Sequence, residues 1–338
     1  MNINEIQPRP FECHQSSIAT AHGCERCFFF KERWGVVLRG VKVKTGASLG
    51  KLYHRFQHLG PGHEQEVRAE VQGMQTDLMA RADKGEDLDG EMVRFATLLT
   101  TLYNKAEVMA HLFWERYPTP DYLKTIGTEI KHSMTIQNGP LDGMVLTGTI
   151  DKLTQDIRNG NIWDRDHKST GRSLDTIFAG FPWSTQARIY RILAEDWIGQ
   201  HEQSKVVGFI LDGILTPGIK LCKKDVKNAK DWNCSESEAY LRRVKEWYAA
   251  TGTASIRSEA MMYNEPLYSR ELLHELMFMK ELSSRANDPN EYNRDPSRFH
   301  CFLYDSQCVY YDLCSSPKVK WPELFENKYK IKSAEESK

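Results

Sequence analysis

Residues 145–170 read VLTGTIDKLTQDIRNGNIWDRDHKST and carry the clearest signal in the chain. Val145 to Asp156 and Asn161 to Lys168 alternate as strands do, with Asn159-Gly160-Asn161 supplying turn chemistry between them. Ile126 to Ile136, ahead of a second Asn-Gly pair at Asn138-Gly139, alternates too, so the three segments predict an antiparallel meander. Glu129, Asp151 and Asp166 fall one on each strand, which would gather three carboxylates at one end of a sheet. Such groups repel one another unless a hard cation, Mg2+ or Mn2+, sits among them, because these ions prefer oxygen ligands. Lys168 follows Asp166 by two residues and so shares its face. A divalent cation beside a lysine suits phosphodiester hydrolysis: the metal neutralises phosphoryl oxygens and the lysine orients or deprotonates the attacking water.

Working outward, Gln186 to Ile198 returns to helical spacing through Ile189, Leu193 and Trp197, and Val206 to Leu215 is a continuous apolar run suited to a buried strand. Gln186 and Tyr190, one turn apart, share a helix face. Upstream, Ser16-Ser17 reads as the cap of a first helix and Gly46 to His58 as a second. Val67, Val71, Met74 and Leu78, then Phe95, Leu98, Leu99, Leu102 and Leu112, mark residues 62–117 as a helical insertion. Downstream come helical stretches at Glu236–Ala250 and Arg270–Arg285, and Lys328–Lys338 reads as a frayed end. The expectation is one domain over residues 1–338: N-terminal helices at 12–60, the insertion at 62–117, a core at 120–215, and C-terminal helices with a cysteine cluster at 236–316.

Composition bounds the function. The chain has 338 residues, 40% hydrophobic and 27% charged, with a mean hydropathy of -0.56, which predicts a soluble globular protein with no membrane role. Met1 to Pro10 lacks the pattern of a secretory signal, so the expected location is cytoplasmic. A net charge of -1 excludes a uniformly basic nucleic-acid binder. Local basic stretches are Lys42/Lys44, Arg188/Arg191, Arg242/Arg243/Lys245 and Lys318/Lys320 beside Trp321, each of which also reads as a solvated helix face. Eight cysteines in such a chain point to metal ligation rather than disulfides; Cys13, Cys222 and Cys234 read as incidental.

Gly148-Thr149-Ile150-Asp151, then Trp163-Asp164-Arg165-Asp166-His167-Lys168-Ser169-Thr170, then Gln186-Ala187-Arg188-Ile189-Tyr190 resemble in order and spacing the PD-(D/E)XK nucleases of the RecB-like branch. Gly50-Lys51-Leu52-Tyr53-His54 is similar to that branch's first motif. The resemblance implies an α/β restriction-endonuclease-like core, a mixed central sheet flanked by helices. It implies that His54, Asp151 and Asp166 bind the metal by side chain, His167 by its backbone carbonyl, and that Lys168 acts on water. Glu129 matches a less strict acidic position, and Gln186 and Tyr190 would contact the DNA backbone or brace the site.

Cys301, Cys308 and Cys314, with Cys24 nearly a chain length away, resemble the iron-sulfur staple of the same branch, found in AddB-type helicase-nucleases, CRISPR-adaptation exonucleases and stand-alone phage members. The resemblance implies a 4Fe-4S cluster on these four thiolates, joining the N- and C-terminal regions. Cys24-Glu25-Arg26-Cys27 departs from the family pattern, which has a basic residue where Cys27 stands. Cys24 is taken as the fourth ligand and Cys27 as its substitute. The implied activity is a metal-dependent exonuclease on single-stranded or end-exposed DNA, in phage or bacterial recombination, replication or repair, with recombination or replication proteins as partners. The alternative is a DNA-end-binding accessory protein of a recombination or spacer-capture complex, its nuclease chemistry secondary or lost.

Overall fold

In the computed structural model, residues 5–39, 45–86, 90–199, 205–263, 265–295, 301–303 and 306–332 are described. The chain begins with strand β1 (Glu12–Cys13), helices α1 (Gln15–Gly23) and α2 (Glu25–Phe28), and strand β2 (Val36–Leu38). Three helices follow, α3 (Thr45–Leu59), α4 (Glu64–Asp83) and α5 (Glu91–Arg116), then the meander β3 (Leu123–Thr135), β4 (Val145–Asp156) and β5 (Ile162–Thr170). Next come α6 (Leu174–Gly180), α7 (Thr185–Gly199), β6 (Val206–Leu215), α8 (Lys223–Trp232), α9 (Glu236–Thr251), β7 (Ile256–Met262) and α10 (Glu265–Ser284). The C-terminal part holds β8 (Phe302–Leu303), β9 (Ser306–Gln307), α11 (Tyr311–Ser315), α12 (Trp321–Asn327) and β10 (Tyr329–Ile331).

The main sheet is mixed, ordered β1-β4-β5-β6-β7 with β3 also paired to β4. β3, β4 and β5 form the antiparallel meander, β5 pairs β6 in parallel, and β7 closes against β6 antiparallel. Helices flank this sheet, giving the α/β class with a mixed central sheet. The pairing of β4 with β5 runs only from Gln155↔Ile162 to Lys152↔Arg165, while β1 takes Val145 and Leu146. β4 and β5 therefore part at Asp151 and Asp166, the next residues on either arm of the fork.

One core cluster joins α1, α2, α7, α10 and the C-terminal aromatic residues, with Phe28, Phe29 and Phe30 fully buried. Each such side chain contributes about 1.5–3 kcal/mol by leaving water. A second cluster joins α3, α4, α5 and α9 to Ile214 of β6 and Ile256 of β7. The helical stretch at 62–117 is thus packed into the body of the protein, with the Phe113 ring 6.4 Å edge-on from that of His167.

Two expectations are corrected. α1 is capped not by Ser16-Ser17 but by His14, whose Nδ1 accepts the Ser17 N–H at 3.2 Å while the His14 N–H donates to Ser17 Oγ at 3.1 Å. The expected frayed end is ordered through its first part: β10 pairs antiparallel with β2, and fully buried Tyr329 donates its hydroxyl to the Val309 carbonyl at 2.7 Å. Residues 333–338 lie outside the described residues. Among the described residues no helix is long and apolar enough to cross a membrane.

Candidate active site

At the fork, Asp151 Oδ2 accepts the His167 backbone N–H at 3.2 Å, so a carboxylate stands where the ladder would have continued. α3 brings His54 over the same point, its Nδ1 3.4 Å from Asp151 Oδ2. Gly50, one turn earlier, allows this approach, since a Cβ there would lie 3.2 Å from Ser169 Oγ of β5. Glu129 supplies the third arm. One ligand atom each from His54, Glu129 and Asp151 lies within 4.8 Å of the others. One imidazole and two carboxylates converging at an accessible place is a donor set that fits a divalent metal.

Asp166 of β5 stands close enough to Asp151 and His54 to feel their charges. It is fully buried, and Lys168 Nζ stands 2.8 Å from its Oδ1 and 2.7 Å from its Oδ2. Gln186 Nε2 donates to Oδ1 at 2.6 Å. Burial raises the Asp166 pKa despite Lys168. Burial works the other way on Lys168, yet the attraction of Asp166 and Asp151 outweighs it and raises the lysine's pKa, keeping the ammonium charged. Asp164, two residues back, is fully buried with neither oxygen hydrogen-bonded. Burial first, then Asp166 and Asp151, pushes its pKa well up. Tyr190 is pushed up chiefly by burial and stays a phenol.

These groups open onto a cavity of about 700 Å³ lined by His54, Glu129, Asp151, Lys168 and Tyr190, with Lys51 and Lys131 at its wall. Of the residues expected to bind metal, the structure brings His54 and Asp151 together with Glu129. Asp166 anchors Lys168. The His167 side chain turns to the other side of β5, its Nδ1 3.1 Å from Asp212 Oδ2. There burial lowers its pKa to about 4.

Sequence reasoning missed that second buried network. Asp212 in the middle of β6 accepts from Arg165 Nε at 2.5 Å and Ser258 Oγ at 2.5 Å. Burial opposes its ionisation, but His167 and Arg165 prevail and hold it at about 2. An aspartate inside an otherwise apolar run was the available signal. The network fixes the backbone of Arg165-Asp166-His167 from behind, on the side away from Gln186.

The basic stretches are largely committed elsewhere. Arg188 is buried and faces Glu271 and Glu275 of α10, which removes it as a nucleic-acid contact. Arg191 pairs with Glu195, Arg243 with Asp225, Arg242 with Glu246, and Lys318 with Asp288. Lys42 and Lys44 lie outside the described residues.

The thiols converge as well. Cys27 Sγ lies 3.4 Å from Cys308 Sγ across 281 positions of sequence. A hydrogen bond from Cys27 pulls the Cys24 thiol down to about 5 against burial, and the same contact pushes Cys27 up. Cys301 and Cys314 feel the charges of Cys24 and Cys308, and burial pushes Cys314 up to about 12. All eight cysteines are free of disulfides. Five thiols, Cys24 just before α2, Cys27 within it and three from the segment 301–314, thus lie near each other.

No family model and no curated protein matches the chain. Among solved structures it is similar to that of a candidate exonuclease from Eubacterium rectale, with 13% identity and a TM-score of 0.41 over 90% of this chain and 94% of that one.

Proposed function

We propose that the chain is a metal-dependent deoxyribonuclease, an exonuclease acting on single-stranded or end-exposed DNA in phage or bacterial recombination, replication or repair. The observation that carries this reading is the convergence of His54, Glu129 and Asp151 within 4.8 Å beside a lysine anchored on a buried aspartate. Mg2+ or Mn2+ held by those three residues would supply charge neutralisation at the phosphoryl oxygens and a more acidic water. Lys168, already donating to Asp166, is an ammonium that orients and donates rather than a base that accepts a proton. Gln186 fixes the other side of Asp166, so the lysine keeps its aim. Lys51 and Lys131 give the cavity wall the positive charge a phosphate backbone needs. Four of the five clustered thiols, Cys301, Cys308 and Cys314 with Cys24 or Cys27, would hold a 4Fe-4S cluster with a structural role.

Purified protein is incubated with single strands labelled at one end or the other, in Mn2+ or EDTA. Degradation is expected only with the metal, and Asp151→Asn and Lys168→Met are expected to slow it by about two orders of magnitude or more. Binding without degradation by the wild type would sink the nuclease reading in favour of an accessory role. Iron content and colour of anaerobically purified Cys24→Ser and Cys27→Ser variants identify the fourth thiolate.

A further inference from the structure

Lys105 sits in the middle of α5 with 8% of its surface exposed. Its Nζ donates to the Pro217 carbonyl at 2.5 Å, one acceptor for a group with three N–H bonds. No carboxylate among the described residues pairs with it, and burial, with no opposing charge, lowers its pKa. A desolvated ammonium without a counter-ion destabilises the fold that keeps it.

Lys105 lines a cleft of about 580 Å³ between α3, α5 and the segment after β6. Leu98, Leu102 and Ile219 make the cleft mostly apolar, while Thr101, Thr216 and Lys220 add polar groups to its lining. Size and lining are those of a small-molecule site. Gly46 lines both this cleft and the active-site cavity, so the two spaces adjoin there.

We propose that the cleft binds a phosphate-bearing nucleotide, its phosphate on Lys105 and its base against the Leu98–Leu102–Ile219 wall. The adjoining cavity makes a strand held at the metal site the favoured source, and only that choice rests on the nuclease reading; a free mononucleotide is the other source. The cleft would grip a nucleotide of the strand away from the reacting phosphate and so set the strand's path.

Two variants test it. Lys105→Met keeps the stem and removes the charge; Thr101→Trp keeps the charge and fills the cleft. Fluorescein-labelled oligothymidylate is titrated in EDTA, where cleavage cannot occur, and thymidine monophosphate and thymidine are titrated by calorimetry, with thermal melts confirming folding. Both variants are expected to weaken oligothymidylate binding roughly tenfold. Lys105→Met is also expected to lower the slope of log affinity against log salt by about 0.7. Weakening confined to thymidine monophosphate supports the site and identifies the free nucleotide as its ligand. Unchanged binding of both probes by both folded variants overturns the inference, as does a wild type that binds neither. Mn2+-dependent cleavage is measured separately, so failure here leaves the nuclease reading standing.

Discussion

Glu129 stands at φ 47° inside a strand, in the left-handed region that costs a residue with a Cβ about 1–2 kcal/mol. The register shows where this comes from. Thr128↔Lys152 and Ile130↔Ile150 pair on either side, leaving Glu129 opposite Asp151 and outside the ladder. The backbone turn lets its carboxylate reach the atoms of His54 and Asp151, a placement in which strain serves a site. Glycine adopts this conformation freely, so Glu129→Gly is expected to be more stable than Glu129→Ala by about 1 kcal/mol, reversing the order usual in strands. Both variants are expected to lose Mn2+ affinity. Melting curves and manganese titrations check this; a more stable alanine variant would show that no strain is stored there. Lys105 sets a pH dependence of its own. Its folded pKa lies below the unfolded value of 10.5, so between the two the unfolded chain binds the extra proton and stability rises with pH. Wild-type protein is therefore expected to gain stability over Lys105→Met as pH climbs toward 10.5, with Lys105→Met the more stable at neutral pH. Urea denaturation of the pair across that range measures the difference; a constant difference would mean the lysine keeps its ordinary pKa.

Helix α7 shows how one element serves the site. Gly148 of β4 lets it lie close: a Cβ there would come 2.8 Å from Leu193 and 3.2 Å from Tyr190. Gly148→Ala is expected to destabilise the fold by about 1–3 kcal/mol through overpacking. It is also expected to slow cleavage, because the displaced helix loosens Gln186 from Asp166. A variant that is destabilised but cleaves at the wild-type rate would separate packing from positioning. The meander that carries Glu129, Asp151 and Asp166 was legible because period-two alternation and Asn-Gly turns are local signals. The fork at Asp151 was not, since it depends on how far β5 follows β4 before turning to β6, a non-local pairing. Asp212 stood out in the apolar run around it, but its partners Arg165 and Ser258 come from other strands and were not legible. Lys328-Tyr329-Lys330-Ile331-Lys332 alternates, but so short a charged segment becomes a strand only because β2 is there to receive it. The thiols were legible by type and order, whereas the approach of Cys27 to Cys308 needed the turn from α1 into α2, where Cys24 ends the first helix.

At the scale of the molecule, two of the junctions between the N- and C-terminal regions are the thiols of α2 with those at 301–314 and β2 with β10. Either junction closes almost the same loop. The entropy removed from the unfolded chain by closing a loop grows only as the logarithm of its length, so a second closure of the same loop adds little. The two junctions should therefore substitute for one another in part. Tyr329→Ala removes a fully buried ring from β10 and is expected to cost about 3–5 kcal/mol from packing alone. If the proposed cluster ties these regions, then in protein stripped of it the same substitution is expected to cost at least about 1 kcal/mol more. Denaturation of wild type and Tyr329→Ala, each with and without the metal, gives this coupling directly. Equal costs in both forms would mean that the thiols do not tie the ends of the chain, and the structural role proposed for the cluster would fall with them.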